Sequence, residues 1–569
     1  MTANNPGRDE LLFVPLGGTN EIGMNLALYG HAGQWLMVDC GLTFADAELP
    51  GVDLVFPDPG FIAERRHALA GLALTHGHED HLGAVAWLWP RLRCPVYATP
   101  FAAALLRRKL AETGLADEVP ITVVDPGGSA QLGPFGLRWI GVTHSIPESH
   151  ALAITTRLGT VLHSGDWKLD PEPLVGPRSD EAALAELGRQ GLLALIGDST
   201  NVFTPGRSGS EGDLRRALRE IIAARTGRVC VTTFSSNVAR VDTVARIAAA
   251  TDRQLVMSGR SLERTVAVAR ECGYLRDLPR IVPEEDAGYL PPGKALYLVT
   301  GCQGEARGAL ARIVFGEHRE LHLEAGDTVI FSARQIPGNE RAIERILDRL
   351  SLDGIEAVTW RDAHVHVSGH PARDELADFY RLARPRIAVP VHGEARHLAE
   401  HARLARSFGA KETVVPRNGA VVRLAPGPAE IIDWVPVGRL ALDGDQVVAI
   451  DSQAIRERRR LAWNGAAVIA IALDAAGDVL TAPRFSLFGL YAPEKLDPLK
   501  ADMVAAVAAA VEGLPRPRRA SDGEIGEAVR RALKPFWPEG RRPLVEIQVL
   551  RAGARVMRAA NDVIEGAQS

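Results

Sequence analysis

Along residues 11–200 one device recurs: a short apolar run that ends on polar or charged residues. Leu11-Leu12-Phe13-Val14-Pro15-Leu16 enters the glycine-rich stretch Gly17-Gly18-Thr19-Asn20-Glu21-Ile22-Gly23-Met24-Asn25, Trp35-Leu36-Met37-Val38 ends on Asp39-Cys40-Gly41, and Leu72-Ala73-Leu74 ends on Thr75-His76. Further along, Leu137 to Thr143 delivers His144, Thr160-Val161-Leu162 leads through His163 to Asp166, and Leu192 to Ile196 leads to Gly197-Asp198. Runs this short, bounded by turn residues, predict buried strands. Val96-Tyr97-Ala98, Ile121 to Val124 and Ala151 to Thr156 predict three more, while Val85 to Leu92 and Phe101 to Glu112 carry helical spacing. A lone His or Asp at a strand end is as compatible with a turn as with a site. Several of them at strand exits within one domain point to a site, because sheet-based sites assemble where strands end.

From Glu211 the pattern becomes a plain alternation. Asp213 to Ala224 and Val238 to Ala249 predict helices, and Val229 to Phe234, Gln254 to Met257, Ala295 to Val299 and Thr328 to Phe331 predict strands. Alternating helix and buried strand is the pattern of a parallel sheet covered on both faces. Histidines then return in Ala363-His364-Val365-His366-Val367-Ser368-Gly369-His370 and in Ile387-Ala388-Val389-Pro390-Val391-His392-Gly393-Glu394. One continuous reading is that a first domain over 10–210 is interrupted by an inserted domain over 211–364 and completed by 365–426. Residues 427–465 then read as a linker. The stretch 466–569 reads as a small α+β domain, with strands at 467–471 and 545–549 and helices at 502–512 and 524–534. Between those helices, Pro515-Arg516-Pro517-Arg518-Arg519 is either a solvated loop or a place to meet phosphate.

Composition narrows the class. A chain of 569 residues exceeds what one core serves, and 46% hydrophobic with 24% charged residues is ordinary for a soluble globular protein. No apolar run approaches the ~20 residues that cross a bilayer, and the first ten residues hold no apolar signal core, so the expected compartment is the cytoplasm, with no membrane partner. Five cysteines without a close pair, an odd count, are expected to be reduced thiols. A net charge of −5 gives no mean attraction for a polyanion. A substrate of that kind would need a local basic channel and cations at the site.

The densest chemistry is Thr75-His76-Gly77-His78-Glu79-Asp80-His81. Surface histidines are one reading of it. The other is a metal cradle: alternate side chains His76 and His78 aim at one point, Asp80 and His81 at a second nearby. Imidazole and carboxylate are ligands for zinc or manganese, and two neighbouring ions suit hydrolysis. Asp39 could turn the chain or orient a ligating histidine. The glycine-rich stretch at 17–25 is either a plain turn or part of the site.

With His76, His78, Asp80, His81, His144 and Asp166 in that order, and Asp39 at the first acidic motif, the first domain resembles the metallo-β-lactamase superfamily. Gly197-Asp198-Ser199-Thr200-Asn201, Ser368-Gly369-His370 and His392-Gly393-Glu394 extend the likeness to the β-CASP nucleases. Within them it resembles the ribonuclease J family, whose phrases are matched at 18–23, 144–149, 300–305 and 336–340. The resemblance implies an α/β fold: a metallo-β-lactamase αββα sandwich, an inserted β-CASP parallel-sheet domain and a small α+β C-terminal domain. It implies two divalent ions, zinc first with manganese or magnesium as alternatives. His76, His78 and His144 would hold one, Asp80, His81 and His392 the other, and Asp166 would bridge them. Asp80, Asp198, His370 and Asp39 are the positions it assigns to catalysis, with His370 stabilising or protonating the leaving oxygen. A clamp for a 5′-phosphate is implied at His366, Val367, Ser368, Gly369 and His370 and at the turn Ser235, Ser236 and Asn237.

The activity so implied is 5′-to-3′ exonuclease action on RNA with a 5′-monophosphate, alongside endonuclease cuts, in RNA maturation and decay. A homodimer or homotetramer is implied as well, with other RNA-decay enzymes as partners. Arg334-Gln335 depart from the family phrase, which carries smaller residues there. Rival readings are a thioester or β-lactam hydrolase, a non-catalytic RNA-binding partner of an active paralogue, and a DNA-directed β-CASP nuclease. The first has no need of an inserted domain, and the second is disfavoured because every ligand position is filled.

Overall fold

A computed structural model describes residues 6–45, 48–336 and 338–552. The expected C-terminal domain therefore lies outside the described residues beyond 552, as do the first five residues and Pro337. Two compact units emerge, one of residues 1–44 and 54–440, the other of 45–53 and 441–569. Among the described residues no helix is long and apolar enough to cross a membrane.

The larger unit contains a sandwich of two sheets. Eight strands form the first, in the order Glu430–Trp434, Ala420–Ala425, Leu11–Gly17, Leu26–His31, Gln34–Val38, Leu69–Ala73, Val96–Ala98, Ile121–Val123. The second has seven: Glu412–Thr413, Ile387–Val391, Ala194–Asp198, Gly159–His163, His150–Thr156, Phe135–Gly141, Ser129–Leu132. Phe13, Tyr29, Leu36 and Val422 from the first sheet pack with Trp139, Ile154, Ile196 and Val389 from the second, so the main core lies between them. Helices Glu181–Gln190, Arg373–Ala383 and Ala395–Ser407 cover the far side of the second sheet through Leu184, Phe379 and Leu404. Central strands are thereby buried on both faces. That is why Leu11–Gly17 is apolar throughout and shows no alternation.

Ala194–Asp198 and Ile387–Val391 are parallel neighbours, Asp198 opposite Val391, although about 190 residues separate them in sequence. The chain between builds a separate six-stranded sheet, every pair parallel, in the order Ile281–Val282, Gln254–Ser258, Ala295–Val299, Val229–Thr232, Thr328–Phe331, Glu356–Val358. Apolar clusters line both its faces. The expected αββα sandwich with an inserted parallel-sheet domain is what the chain forms.

The expected linker over 427–465 needs correction. Glu430–Trp434 is an edge strand of the first sheet, and Gln453–Asn464 is a helix. The strand escaped the pattern because an edge leaves apolar side chains in water, Ile431 at 37% and Trp434 at 55% exposure.

In the smaller unit, strands Arg484–Phe488, Ala466–Leu473 and Leu544–Arg551 form a sheet with Ala466–Leu473 central. Helices Pro493–Glu512 and Asp522–Leu533 supply Met503, Val507, Ile525 and Val529 to its core. The basic loop is tied to nearby carboxylates: Arg518 Nε lies 2.9 Å from Glu524, and Arg519 pairs with Asp478. Those guanidinia serve the fold of this small domain and carry little excess charge for an anion.

Candidate metal centre

Strand exits build the centre, and a buried carboxylate joins two of them. Asp39 follows strand Gln34–Val38 with a φ of 60°, a left-handed conformation that non-glycine residues keep only when surrounding contacts enforce it. Those contacts come from the neighbouring exit. Thr75 N–H donates to Asp39 Oδ1 at 2.8 Å, Thr75 Oγ1 donates to Oδ2 at 2.8 Å, and His81 Nδ1 lies 2.7 Å from Oδ2. Close packing holds the loop as well. A Cβ on Gly41 would fall 1.7 Å from the Asp80 carbonyl oxygen, so only hydrogen fits there. Asn25 Nδ2 donates to that same carbonyl at 3.1 Å and lies 3.1 Å from His81 Nε2.

The late imidazole arrives from the other sheet. His392 also has a left-handed φ, 53°, and its N–H donates to Gly18 O at 2.6 Å, while Thr19 and Glu21 bridge to Gly393. The glycine-rich stretch at 17–25 is therefore the support under His392 and His81. Thr200 Oγ1 lies 3.2 Å from His392 Nδ1 and donates to its carbonyl at 3.1 Å.

The side chains converge as three overlapping groups: His76, His78, His144 and Asp166; Asp80, His81, Asp166 and His392; and Asp166, Asp198, His370 and His392. Within each group the ligand atoms all lie within 4.8 Å of one another. Asp166 belongs to all three. Its Oδ2 is 3.8 Å from His76 Nε2, 3.7 Å from His144 Nε2 and 3.2 Å from His81 Nε2. Its Oδ1 lies 3.0 Å from His392 Nδ1 but makes no aligned hydrogen bond, so a buried carboxylate oxygen is left without a donor.

The ring nitrogens tell the same story. His144 Nδ1 donates to Gly369 O at 2.6 Å, which leaves its Nε2 with a lone pair. His78 Nδ1 is 3.1 Å from both that Nε2 and His76 Nε2, and one proton can serve only one of those contacts. Asp39 likewise fixes the proton of His81 on Nδ1 and turns Nε2 inward, the orientation a ligating histidine needs.

Electrostatics match a cation site. Burial, with neighbouring imidazoles adding to it, holds His76 and His144 well below the ordinary histidine value, and His78 is pushed down to about 4. These three are neutral at neutral pH and offer lone pairs without a proton to displace. Burial opposes charge on Asp80, Asp166 and Asp198 too, but the surrounding imidazoles outweigh it and hold all three below the usual carboxylate range. Burial disfavours charge on His81 and His392 as well, yet Asp166 and its neighbours hold both well above their ordinary value. A cluster of ionised carboxylates that recruits protons onto nearby imidazoles is a cluster that calls for positive charge. The donor set suits two divalent ions.

Two members face outward. The side chains of Asp80 and His370 are 30% and 23% exposed, against 4% or less for His76, His81, His144, Asp166 and His392. His370 Nδ1 lies 2.8 Å from Asp198 Oδ2; burial works against its charge, but Asp198 and Asp166 raise its pKa above the ordinary value.

The two halves of the expected phosphate clamp adjoin this centre differently. In 366–370, Gly369 has no room for a side chain, because a Cβ would sit 2.7 Å from His144 Cε1. Ser368 Oγ accepts from His370 N at 3.0 Å, Val367 is buried at 3% exposure, and the buried His366 Nδ1 has no hydrogen-bond partner. In the other half, Asn237 caps helix Val238–Ala250 by accepting from Arg240 N at 2.9 Å, while Ser235 and Ser236 stay partly exposed at that helix's start. Arg240 links the halves: its Nη1 donates to Ser332 O at 2.8 Å, and Ser332 Oγ donates to Val365 O at 2.7 Å. Thus the structure gathers Asp39, His76, His78, Asp80, His81, His144, Asp166, Asp198, His370 and His392 at one centre. Asn237 is committed to a helix end. Asn25 and Thr200 went unassigned from sequence; each carries a common residue type with no spacing signal, and only the fold brings it to an imidazole.

Family models match along the chain: "Metallo-beta-lactamase superfamily" over 24–233, "Ribonuclease J, beta-CASP domain" over 226–350, "Zn-dependent metallo-hydrolase RNA specificity domain" over 362–416 and "Ribonuclease J C-terminal domain" over 453–552. Ribonuclease J of Sinorhizobium meliloti is 46% identical over 552 residues, spanning 95% of this chain and 98% of that protein. Ribonuclease J of Mycobacterium tuberculosis is 38% identical over 91% of this chain and 93% of its own length, and that of Thermus thermophilus 37% identical over 81% and 82%. A solved structure of a protein of unknown function from Enterococcus faecalis covers 73% of this chain and all of its own with a TM-score of 0.50 at 16% identity, a likeness of fold.

Proposed function

The chain belongs to the ribonuclease J family, and from that premise we propose that it degrades RNA from the 5′ end, preferring a 5′-monophosphate, and also cuts internally. It is a metal-dependent hydrolase acting on RNA. One observation carries the reading: Asp166 stands within 4 Å of His76, His81, His144 and His392, so ligands from positions 76 to 392 share one carboxylate.

Of the two groups, His76, His78 and His144 would hold one divalent ion and Asp80, His81 and His392 the other, with Asp166 between them. When bound, such a pair neutralises charge on a phosphodiester and activates water for attack. Zinc suits an imidazole-rich set best, with manganese and magnesium the alternatives. Asp39 touches only Thr75 and His81, so its role is to orient a ligand. His370, protonated beside Asp198 and partly exposed, is positioned to give its proton to the leaving oxygen. The unpartnered His366 Nδ1, the Ser368 hydroxyl and the helix start at Ser235-Ser236 support a clamp for a terminal phosphate. Val367 contributes its backbone only.

We further propose a cytoplasmic homodimer or homotetramer that works in RNA maturation and decay with other RNA-decay enzymes. Retention of every ligand at one centre favours an active enzyme over a non-catalytic partner of a paralogue. The test is hydrolysis of end-labelled RNA bearing a 5′-monophosphate or a 5′-triphosphate, and of DNA, with zinc, manganese, magnesium or chelator. Faster decay of monophosphate RNA is expected, and chelator should stop it. Equal rates for the two 5′ ends would remove the phosphate clamp, and preference for DNA would move the chain to the DNA-directed nucleases.

A further inference from the structure

A chain with a net charge of −5 must gather cations locally to hold a polyanion, and one such place adjoins the metal centre. Trp360 is 41% exposed, with the guanidinium carbons of Arg334 and Arg361 at 5.5 and 5.4 Å from its ring centroid. Most exposed arginines in this unit sit against a carboxylate, as Arg108 does on Glu271 and Arg225 on Glu356. Among the described residues neither Arg334 nor Arg361 makes an ion pair, so two like charges crowd one indole uncompensated.

The group is held in place and connected to the centre. Gln303 Nε2 donates to Arg334 O at 2.9 Å, Arg334 Nη1 donates to Asn201 Oδ1 at 3.4 Å, and Asn201 Nδ2 donates to His370 O at 3.4 Å. Thr204 Oγ1 fixes Asn201 from behind at 2.7 Å. Trp360 is thus linked through Arg334 and Asn201 to the residue that faces the reacting phosphate. Exposed indole and guanidinium planes stack on any base, and unpaired guanidinia contact the flanking phosphates, which is how single strands are held without regard to sequence.

We propose that Trp360, Arg334 and Arg361 form a subsite for one nucleotide of single-stranded RNA beside the metal centre, binding it by stacking and by phosphate contact. This rests on the RNA reading above. The experiment measures kcat and KM for a short single-stranded RNA with the full-length chain. Trp360→Ala should raise KM about tenfold, the fold-change expected for losing one stacked base, with kcat within about twofold. Trp360→Phe keeps a π face and should restore most of the affinity, and thermal melting checks that both variants are folded. Arg334→Ala and Arg361→Ala should each lower the slope of log affinity against log salt by about 0.7. An unchanged KM in Trp360→Ala, or a Trp360→Phe as weak as the alanine variant, overturns the subsite while leaving the nuclease reading intact. Failure of the unaltered chain to bind or cleave RNA overturns both.

Discussion

Two sets of buried histidines, some in the metal centre and some in the packing around it, look alike until their nitrogens are followed. His76, His78 and His144 are buried and held neutral; so are His150, His163 and His401, each pushed down to about 4 by burial. In the packing set the neighbouring polar atoms face the rings: His401 has Ser199 Oγ at 2.9 Å on Nδ1 and Tyr380 Oη at 3.0 Å on Nε2, and His163 Nδ1 meets Tyr29 Oη at 2.9 Å. In the other set the nitrogens face one another and a donor-starved carboxylate. Burial and a depressed pKa therefore do not distinguish a ligand from a core histidine. Convergence of unassigned lone pairs does.

That contrast fixes what each set should do when disturbed. The largest effect falls on the ligand set: His76→Ala should abolish RNA hydrolysis while leaving the thermal unfolding curve close to that of the unaltered chain, since no hydroxyl or carbonyl depends on it alone. Residual turnover near the original rate would mean that His76 is no ligand.

Acid should act on the packing set. His150 and His401 have folded pKa values of about 4 against 6.5 for the free side chain. Between those values the unfolded chain binds protons that the folded chain refuses, so stability is complete above pH 6.5 and falls as pH drops toward 4. The loss is about 3 kcal/mol for each histidine at most. Denaturant titrations across that window check it, and stability that is flat or rising toward pH 4 would show these rings charged in the fold.

A smaller effect is expected where the sets meet. Asp39→Asn keeps the shape around His81 but removes the charge that holds its Nδ1 proton, and should weaken metal affinity by roughly ten- to a hundredfold. Metal competition with a chelating dye measures this. Smallest is Tyr380→Phe, which strips one partner from His401 and should cost about 1–2 kcal/mol of stability with RNA turnover unchanged.

Much of this was legible beforehand because the chemistry sits at strand exits. Apolar runs ending on His76, His144, Asp166 and His392 marked both the sheets and the site. The inserted sheet was legible from its unbroken alternation. Strand Leu26–His31 was not: it is short, holds Gly30 beneath the Trp35 ring, and is buried on both faces, so no periodicity survives. Edge strand Glu430–Trp434 was hidden by exposed apolar residues. Asn25, Thr200 and the Trp360 cluster were invisible for a different reason, since each depends on partners that only tertiary folding supplies.

The measurement that bears most directly on the convergence of distant ligands is the metal content of the purified chain beside that of His392→Ala, by elemental analysis after exhaustive dialysis. Two ions per chain are predicted for the former and one for the latter, with RNA hydrolysis lost. Two ions retained in His392→Ala, or cleavage at the original rate, would contradict a centre closed by that late imidazole.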